Sequence, residues 1–190
     1  VLTHDMLIEG VHFLPDDPAD SVAWKLVAVN LSDLAAKGAK PTGVLMGLGL
    51  SAVEDEAWIA AFTDGLARVL AAYDCPLLCG DTVTGLGQAV LGLTAIGAVE
   101  PGQGLSRVGA RPGDNLYVTG TIGDAGLGLA IARGAAAPDK YLLNRYRRPT
   151  PRLAVGQRLA GLASAAMDVS DGLLIDADRL ARASGLAVTI

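Results

Sequence analysis

The chain has 190 residues, 51% of them hydrophobic and 18% charged, which is enough apolar material for one large domain or two small ones. A net charge of −5 argues against a nucleic-acid surface or an anionic membrane surface, because both normally attract basic proteins. No apolar run reaches the ~18 residues of a membrane span. The two cysteines, Cys75 and Cys79, lack the partners of a zinc site. We therefore expect a cytoplasmic protein with reduced thiols and with neither nucleic-acid nor membrane partners.

The first half of the chain alternates between segments typical of strands and of helices. Residues 21–37 carry apolar side chains at helical spacing, with Asp20 or Ser21 as candidate N-caps. A second helix is predicted over residues 54–73. Short apolar runs indicate strands at residues 1–8, 44–50, 76–79 and 88–98.

A segment rich in glycine, proline and arginine, residues 101–114, predicts a linker or crossover between two domains. The second half then alternates again. Strands are predicted at 115–120, 165–169 and 186–190, and helices at 123–134, 141–148, 152–164 and 172–184. The alternation predicts an α/β or α+β fold, and it leaves the order of the strands open.

Five aspartates stand in or beside apolar segments: Asp5, Asp33, Asp81, Asp168 and Asp171. A carboxylate in apolar surroundings loses hydration energy unless a cation pairs with it, and several together repel one another. Hard divalent cations take oxygen ligands, and Mg²⁺ commonly shares its site with a phosphate. The five residues therefore predict a Mg²⁺–phosphate site assembled from separate loops.

Each candidate also has an interpretation that needs no ligand. Asp33 can belong to a solvated helix face, and Asp5 can cap backbone amides where a strand enters a loop. The Gly80–Asp81 pair can form a turn at a strand end, and Ser170 can be the N-cap of the last predicted helix. A lone histidine such as His12 is more often structural than a ligand.

Several motifs carry a further signal through their order along the chain. They are HDMLIEGVHF (4–13), LSDLAAKGAKP (31–41), CGDT (79–82), RVGARPGDNLYVTGTIGDAGLGL (107–129) and MDVSDGL (167–173). In this order they resemble the thiamine-monophosphate kinase family, which shares a superfamily with aminoimidazole ribonucleotide synthetase and selenophosphate synthetase. The resemblance covers the whole chain, and the stretch from Asp5 to Phe13 is its most specific part.

The resemblance implies a two-domain synthetase-like architecture of the α/β (α+β) class. Residues 1–105 would form an N-terminal metal- and nucleotide-binding domain whose strands pair across a homodimer, and residues 106–190 would begin a C-terminal α/β domain. It also implies an enzyme that uses ATP and Mg²⁺ to phosphorylate thiamine monophosphate to thiamine diphosphate by direct in-line transfer. The alternatives are another ATP-dependent synthetase of the superfamily and a non-catalytic paralogue that binds ATP and Mg²⁺.

The resemblance also assigns roles to individual positions. The implied metal-binding residues are Thr3, His4, Asp5, Asp33, Asp81, Asp168 and Asp171. The implied ATP-binding residues are Gly80, Asp81, Arg107 and Ser170, and the implied contact to the phosphate of thiamine monophosphate is His12. The family usually has threonine or serine where His4 stands, so His4 offers a backbone carbonyl instead of a hydroxyl. Cys79 similarly replaces a common glycine.

Both ends of the sequence have the character of interrupted strands, since it begins on Val1 and Leu2 and stops on an apolar run at Ile190. The family's chain extends on both sides, and its upstream Gly-Asp-Asp segment supplies another metal ligand. We therefore expect these residues to be part of a longer protein, and to be poorly soluble and inactive by themselves.

Overall fold

A computed structural model describes all 190 residues as a four-stranded sheet with six helices. In the N-terminal half the elements are β1 (Leu2–Ile8), α1 (Ala19–Ala36), β2 (Lys40–Ser51), α2 (Glu56–Ala72), β3 (Leu77–Leu86) and β4 (Val90–Ala98). In the C-terminal half they are α3 (Asp124–Ala132), α4 (Lys140–Arg147), α5 (Leu153–Leu159) and α6 (Leu173–Ala183). The predicted mixed α/β class is confirmed. None of the helices is both long enough and apolar enough to cross a membrane.

The sheet has the strand order β1–β4–β2–β3. β4 runs antiparallel to both its neighbours, whereas β3 lies parallel to β2 because α2 carries the chain back between them. β1 and β3 are therefore the two edges. Every residue of β3 is exposed, so this edge offers unpaired backbone groups to its surroundings.

The core lies between one face of the sheet and the helices α1 and α2. α1 is buried around most of its circumference, because it packs against α2, α5, β1 and β4. Leu91 and Leu93 of β4 face this core and are at most 1% exposed. α2 contributes the apolar stripe of Phe62, Leu66 and Val69, as its periodicity predicts.

α1 begins two residues before its predicted start, and neither Asp20 nor Ser21 is its N-cap. Pro18 occupies the cap position, and no side chain caps the helix. The carboxylate of Asp20 instead pairs with Arg68 of α2 and with Arg148 at the end of α4, each at 2.7 Å. Asp20 thus joins three helices, because opposite charges from two neighbours outcompete the local amides for its oxygens.

β3 extends well past the apolar run at 76–79 from which it is predicted, so the Gly80–Asp81 pair lies inside a strand and not at a strand-end turn. The strand continues because β2 offers a hydrogen-bonding partner along its length, and Asp81 itself pairs with Gly47. Tertiary pairing here overrides a polar and glycine-rich local sequence.

Three predicted strands, at 115–120, 165–169 and 186–190, are wrong, since none of these segments forms a strand. An apolar run becomes a strand only when a neighbouring strand pairs with its backbone, and these segments have no such neighbour. They border an open cavity of about 1180 Å³ instead. The helix predicted at 152–164 also ends early, before Gly161, whose φ of 76° does not continue a helix.

The two halves of the chain meet along α1. Gly156 of α5 lies so close to this helix that a Cβ there would come within 2.0 Å of the Ala35 carbonyl oxygen. At the other end of α1, Trp24 Nε1 donates to the Pro149 carbonyl at 3.0 Å. The domain boundary at residue 105 stays a prediction, but residues on both sides of it are in direct contact.

Candidate active site

Three aspartates from separate elements come together beside the C-terminal end of α1. Burial raises the pKa of Asp33 to about 6, and the negative charges of Asp168 and Asp5 add to the rise. The pKa of Asp168 is also raised, first by burial and then by the charges of Asp176 and Asp5. The structure therefore places Asp5, Asp33 and Asp168 within electrostatic reach of one another, and we call these three residues the acidic cluster.

Two cations face the acidic cluster. Lys37, which follows α1, and Arg107, from the segment between the two halves, both lower the pKa of Asp33. Arg107 lowers the pKa of Asp168 as well, and its guanidinium forms no salt bridge within 4.0 Å. A free guanidinium beside carboxylates suits a site that must hold a phosphate together with cations.

A fully buried asparagine holds the strand that carries Asp5 against the helix that carries Asp33. Asn30 Oδ1 accepts from the backbone N–H of Asp5 at 3.0 Å, and Asn30 Nδ2 donates to the Leu26 carbonyl at 3.0 Å. The Thr3 hydroxyl donates to the Asn30 carbonyl at 3.3 Å. Asn30 precedes Asp33 by three positions, so the two share one helix face. This role is not predicted, although a polar residue at an otherwise apolar helical position is a signal for it.

Replacement of Asn30 with alanine should destabilise the protein by about 1 to 3 kcal/mol, because the Asp5 amide loses its buried acceptor. Equilibrium urea unfolding of the full-length protein measures the change. Thr63→Ala, which removes an exposed hydroxyl from α2, is the matched control. Unchanged unfolding free energy in Asn30→Ala would contradict the role.

The segment before α6, residues 168–172, carries two of the predicted metal ligands, and we call it the aspartate loop. It lines the cavity of about 1180 Å³ together with Ser32 of α1. Asp168 is half-buried within the acidic cluster. Asp171 is exposed and forms an ion pair with Arg179 of α6, so its carboxylate already has a counter-charge.

Ser170 does not cap α6, so that interpretation is wrong. Gly172 takes the cap position with a φ of 119°, and no side chain occupies the usual capping geometry. The amides of residues 170–172 are satisfied by a carboxylate further along the helix, that of Asp176. The Ser170 hydroxyl makes no hydrogen bond within the chain and can serve a ligand.

Asp81 does not join the acidic cluster. Asp81 pairs with Gly47 of β2, and Gly47 pairs with Gly92 of β4, so these three residues share one face of the sheet. The register of β1 on β4 puts Asp5 on the other face. Gly80, which precedes Asp81, lies in the same exposed edge strand.

His4 also lies on the face opposite the acidic cluster. Its Nδ1 atom is 2.9 Å from Thr94 Oγ1 of β4. Its neighbours Thr3 and Asp5 lie toward α1, because side chains alternate along a strand. The His4 imidazole is therefore excluded from the cluster, and only its backbone carbonyl remains available.

His12 lies in the exposed turn after β1, and a hydrogen bond fixes the orientation of its ring. The backbone N–H of Ile8 donates to His12 Nδ1 at 3.0 Å, so in the neutral ring the proton resides on Nε2. The ring thus presents an Nε2–H donor to its surroundings, which suits an anion. His12 makes no hydrogen bond to the acidic cluster.

Behind His12, a buried polar network joins the N-terminal half to α4. Lys25, 7% exposed, donates to the His12 carbonyl at 3.2 Å and lies 3.6 Å from the centroid of the Tyr146 ring. Asp17 accepts from Tyr146 Oη and from Arg147 Nε, each at 2.8 Å. We call Asp17, Lys25, Tyr146 and Arg147 the domain-bridging network.

Burial and hydrogen bonding shift the pKa values of the charged groups in this network. Burial lowers the pKa of Lys25 to about 8, although the charge of Asp17 opposes the fall. Burial alone would raise the pKa of Asp17, but hydrogen bonds from Leu14, Tyr146 and Arg147 bring it below its ordinary value. The network is not predicted from sequence, because Asp17 and Tyr146 are 129 positions apart.

The acidic cluster fits hard divalent cations by its donor chemistry. Its members offer only carboxylate oxygens. The pKa values of Asp33 and Asp168 are raised first by burial and then by neighbouring carboxylates, so a bound cation would stabilise both charged forms. No three acidic, histidine or cysteine side chains converge closely enough to chelate one ion together. Mg²⁺ does not need such a cage, because it keeps several waters and takes one or two carboxylates plus substrate phosphates.

In metal-free protein, the contribution of Asp33 to stability should fall as the pH rises from about 4 to about 7. The pKa of about 6 in the folded protein exceeds the ordinary value of 3.8, so the folded state binds this proton more tightly than the unfolded state does. The stabilisation is complete below the ordinary pKa and is lost as the pH passes through 6. Urea unfolding across this range, in the presence of a chelator, should show a steeper fall for wild type than for Asp33→Asn. Parallel pH profiles would refute the raised pKa of Asp33.

Comparison with known proteins identifies the class that this fold and site define. The family model "AIR synthase related protein, N-terminal domain" matches residues 1–99, and "AIR synthase related protein, C-terminal domain" matches residues 111–190. The chain belongs to this family of AIR synthase related proteins.

Thiamine-monophosphate kinases are similar to the whole of this chain. The enzyme of Escherichia coli (strain K12) is 47% identical over 195 residues, which cover 100% of this chain and 59% of that protein. The enzyme of Caulobacter vibrioides is 45% identical over 191 residues, which cover 100% of this chain and 54% of that protein. The resemblance seen in the motifs is confirmed. The chain spans little more than half the length of these relatives.

Solved structures give the same result for the fold. Thiamine-monophosphate kinase from Stenotrophomonas maltophilia K279a superposes with a TM-score of 0.89 at 44% identity, covering 97% of this chain and 60% of that one. A structure described as AaThiL complexed with AMPPCP and TMP gives a TM-score of 0.91 at 34% identity, with the same coverage. Hydrogenase maturation protein HypE, at 19% identity and a TM-score of 0.78, shares the fold alone.

Proposed function

We propose that the full-length protein is a cytoplasmic thiamine-monophosphate kinase, which transfers the γ-phosphoryl group of ATP to thiamine monophosphate and releases thiamine diphosphate and ADP. The observation that carries the proposal is the acidic cluster with Arg107 beside it, at the meeting point of β1, α1 and the aspartate loop. The similarity to a structure that contains AMPPCP and TMP supports the choice of substrates.

The proposed roles follow the chemistry of each group. Mg²⁺ would be held by carboxylates, the Thr3 hydroxyl and the His4 carbonyl; the proposed set is Thr3, His4, Asp5, Asp33, Asp81, Asp168 and Asp171. ATP contacts Gly80, Asp81, Arg107 and Ser170. Since Asp81 lies on the opposite sheet face, we assign it to a different ion from that of the acidic cluster.

In the proposed reaction, an oxygen of the substrate phosphate attacks the γ-phosphorus of ATP in line. The bond from that phosphorus to the bridging oxygen of ADP breaks as the new bond forms. No general base is required, because a phosphate monoester is largely ionised near neutral pH. Mg²⁺, when bound, would offset the repulsion between the two anionic phosphates. His12 Nε2–H and the Arg107 guanidinium supply donors that orient the phosphates.

Two other functions compete with this proposal. Another synthetase of the superfamily would release ADP with a different acceptor, and a non-catalytic paralogue would bind ATP and Mg²⁺ without turnover. A coupled assay for ADP release by the full-length protein, with and without thiamine monophosphate, separates the three. We expect ADP only when ATP, Mg²⁺ and thiamine monophosphate are all present. ADP release that does not depend on thiamine monophosphate would contradict the proposal, and so would the absence of ADP release under all conditions.

The full-length protein is expected to be a two-fold dimer through residues 1–100. β3 is an exposed edge strand that carries outward apolar residues such as Leu78 and Val83, and such an edge needs a covering partner. Sedimentation at micromolar concentration should show a dimer, weakened by Val83→Lys. Val53→Lys, at an exposed position outside the sheet, is the control. A wild-type monomer would contradict the prediction.

A further inference from the structure

Asp176, in the first turn of α6, organises the aspartate loop. Its Oδ2 atom accepts hydrogen bonds from three consecutive backbone N–H groups, those of Ser170 at 2.9 Å, Asp171 at 2.9 Å and Gly172 at 3.1 Å. Its Oδ1 atom accepts from Arg179 Nη1 at 3.1 Å. Asp176 is 1% exposed, so both oxygens are satisfied from within the chain.

These contacts give the loop one conformation. Three adjacent amides that converge on one point form a concave anion site, of the kind that often binds a phosphate at a helix N-terminus. Here the chain's own carboxylate occupies that position. The amides are therefore not available to a nucleotide phosphate.

The side chains that remain free are those assigned to nucleotide and metal. The Ser170 hydroxyl has no partner in the chain, and Asp168 belongs to the acidic cluster. Arg179 forms ion pairs with both Asp176 and Asp171, so it links Asp176 to a predicted metal ligand. A change at Asp176 should therefore alter the position of two assigned site residues, Ser170 and Asp171.

We propose that Asp176 is a positioning residue for the Mg²⁺–nucleotide complex, an inference that rests on the proposed function. It contacts neither reactant; it fixes the backbone from which Ser170 and Asp171 reach them. Side chains that orient metal ligands in this way typically change metal affinity by about 10- to 100-fold when replaced.

Asparagine at position 176 cannot reproduce the arrangement. One orientation of the amide turns its NH₂ group toward the three loop amides, and the other turns it toward Arg179, so donors face donors in either case. Asp176→Asn should therefore speed amide exchange in residues 170–172 and weaken binding of Mg²⁺–AMPPCP by about 10- to 100-fold. Asp176→Asn combined with Arg179→Met removes the second clash, and should restore part of both properties.

The test uses full-length protein, with hydrogen exchange followed by mass spectrometry and calorimetric titration of Mg²⁺–AMPPCP. Asp178→Asn is the matched control, because Asp178 lies on the same helix, is exposed and pairs only with Arg182. KM should rise for ATP and stay unchanged for thiamine monophosphate. Asp176→Glu, which keeps the charge and displaces the carboxylate by one methylene, should give a smaller loss of affinity, and it takes the place of Asp176→Asn if that variant does not fold.

If Asp176→Asn bound Mg²⁺–AMPPCP with wild-type affinity, the positioning role would be overturned and the proposed function would remain intact. Wild-type protein that binds no Mg²⁺–AMPPCP would overturn the proposed function, and the positioning role with it. Equal loss of affinity for both substrates, with no rescue by Arg179→Met, would show a merely structural effect and would also overturn the inference.

Discussion

Asp33→Asn in the full-length protein is expected to abolish Mg²⁺-dependent phosphoryl transfer while the fold survives. Asp33 is the central carboxylate of the acidic cluster, since the charges of both Asp168 and Asp5 act on it. Asparagine keeps the shape of the side chain but cannot neutralise a cation. Because the substitution removes a charge that burial and then repulsion by Asp168 and Asp5 disfavour, the metal-free protein should become more stable above neutral pH.

The combination of lost activity and gained stability distinguishes a metal-binding carboxylate from a structural one, whose removal lowers both. ADP release and thermal unfolding are measured on the same preparations. Asp64→Asn, at an exposed position of α2, should leave both quantities unchanged. Near-normal activity of Asp33→Asn would rule out the metal role.

Asp17→Asn is expected to lower the free energy of unfolding by about 3 to 5 kcal/mol, the usual effect of removing one partner from a buried ion pair. The Asp17 side chain is only 2% exposed and pairs with Arg147 at 2.8 Å. Without its charge, Lys25 and Arg147 would both remain near the core with no compensating anion. Chemical denaturation measures the loss.

The same substitution should also weaken the binding of thiamine monophosphate, because Lys25 tethers the carbonyl of His12. Asp16→Asn, at the exposed neighbouring position, makes the same change in net charge and serves as the control. If Asp17→Asn and Asp16→Asn unfolded at the same denaturant concentration, the domain-bridging network would have no energetic role.

The acidic cluster could be predicted because each of its members is a local anomaly. Asp33 interrupts an apolar helical stripe, Asp168 follows an apolar run and Asp5 precedes one, so the apolar neighbours in sequence mark all three. The residues that hold these segments in place cannot be predicted from the local sequence pattern. Asn30 and Asp176 act through backbone groups of other segments, and their partners follow only from how α1 and α6 are placed.

Motif spacing also does not predict on which face of the sheet a strand residue lies. Asp5 and Asp81 look equivalent as sequence motifs, yet the register of four strands places them on opposite sides of the sheet. The predicted strands at 115–120, 165–169 and 186–190 fail for a related reason. Strand formation depends on a hydrogen-bonding neighbour, which no local apolar run can specify.

The most direct test of the proposed function is product analysis of one reaction mixture. Full-length protein is incubated with ATP, Mg²⁺ and thiamine monophosphate, and the products are separated chromatographically and identified by mass. We predict one thiamine diphosphate for each ADP, and neither product when Mg²⁺ is removed by a chelator. ADP accompanied by inorganic phosphate, with thiamine monophosphate recovered unchanged, would contradict the account.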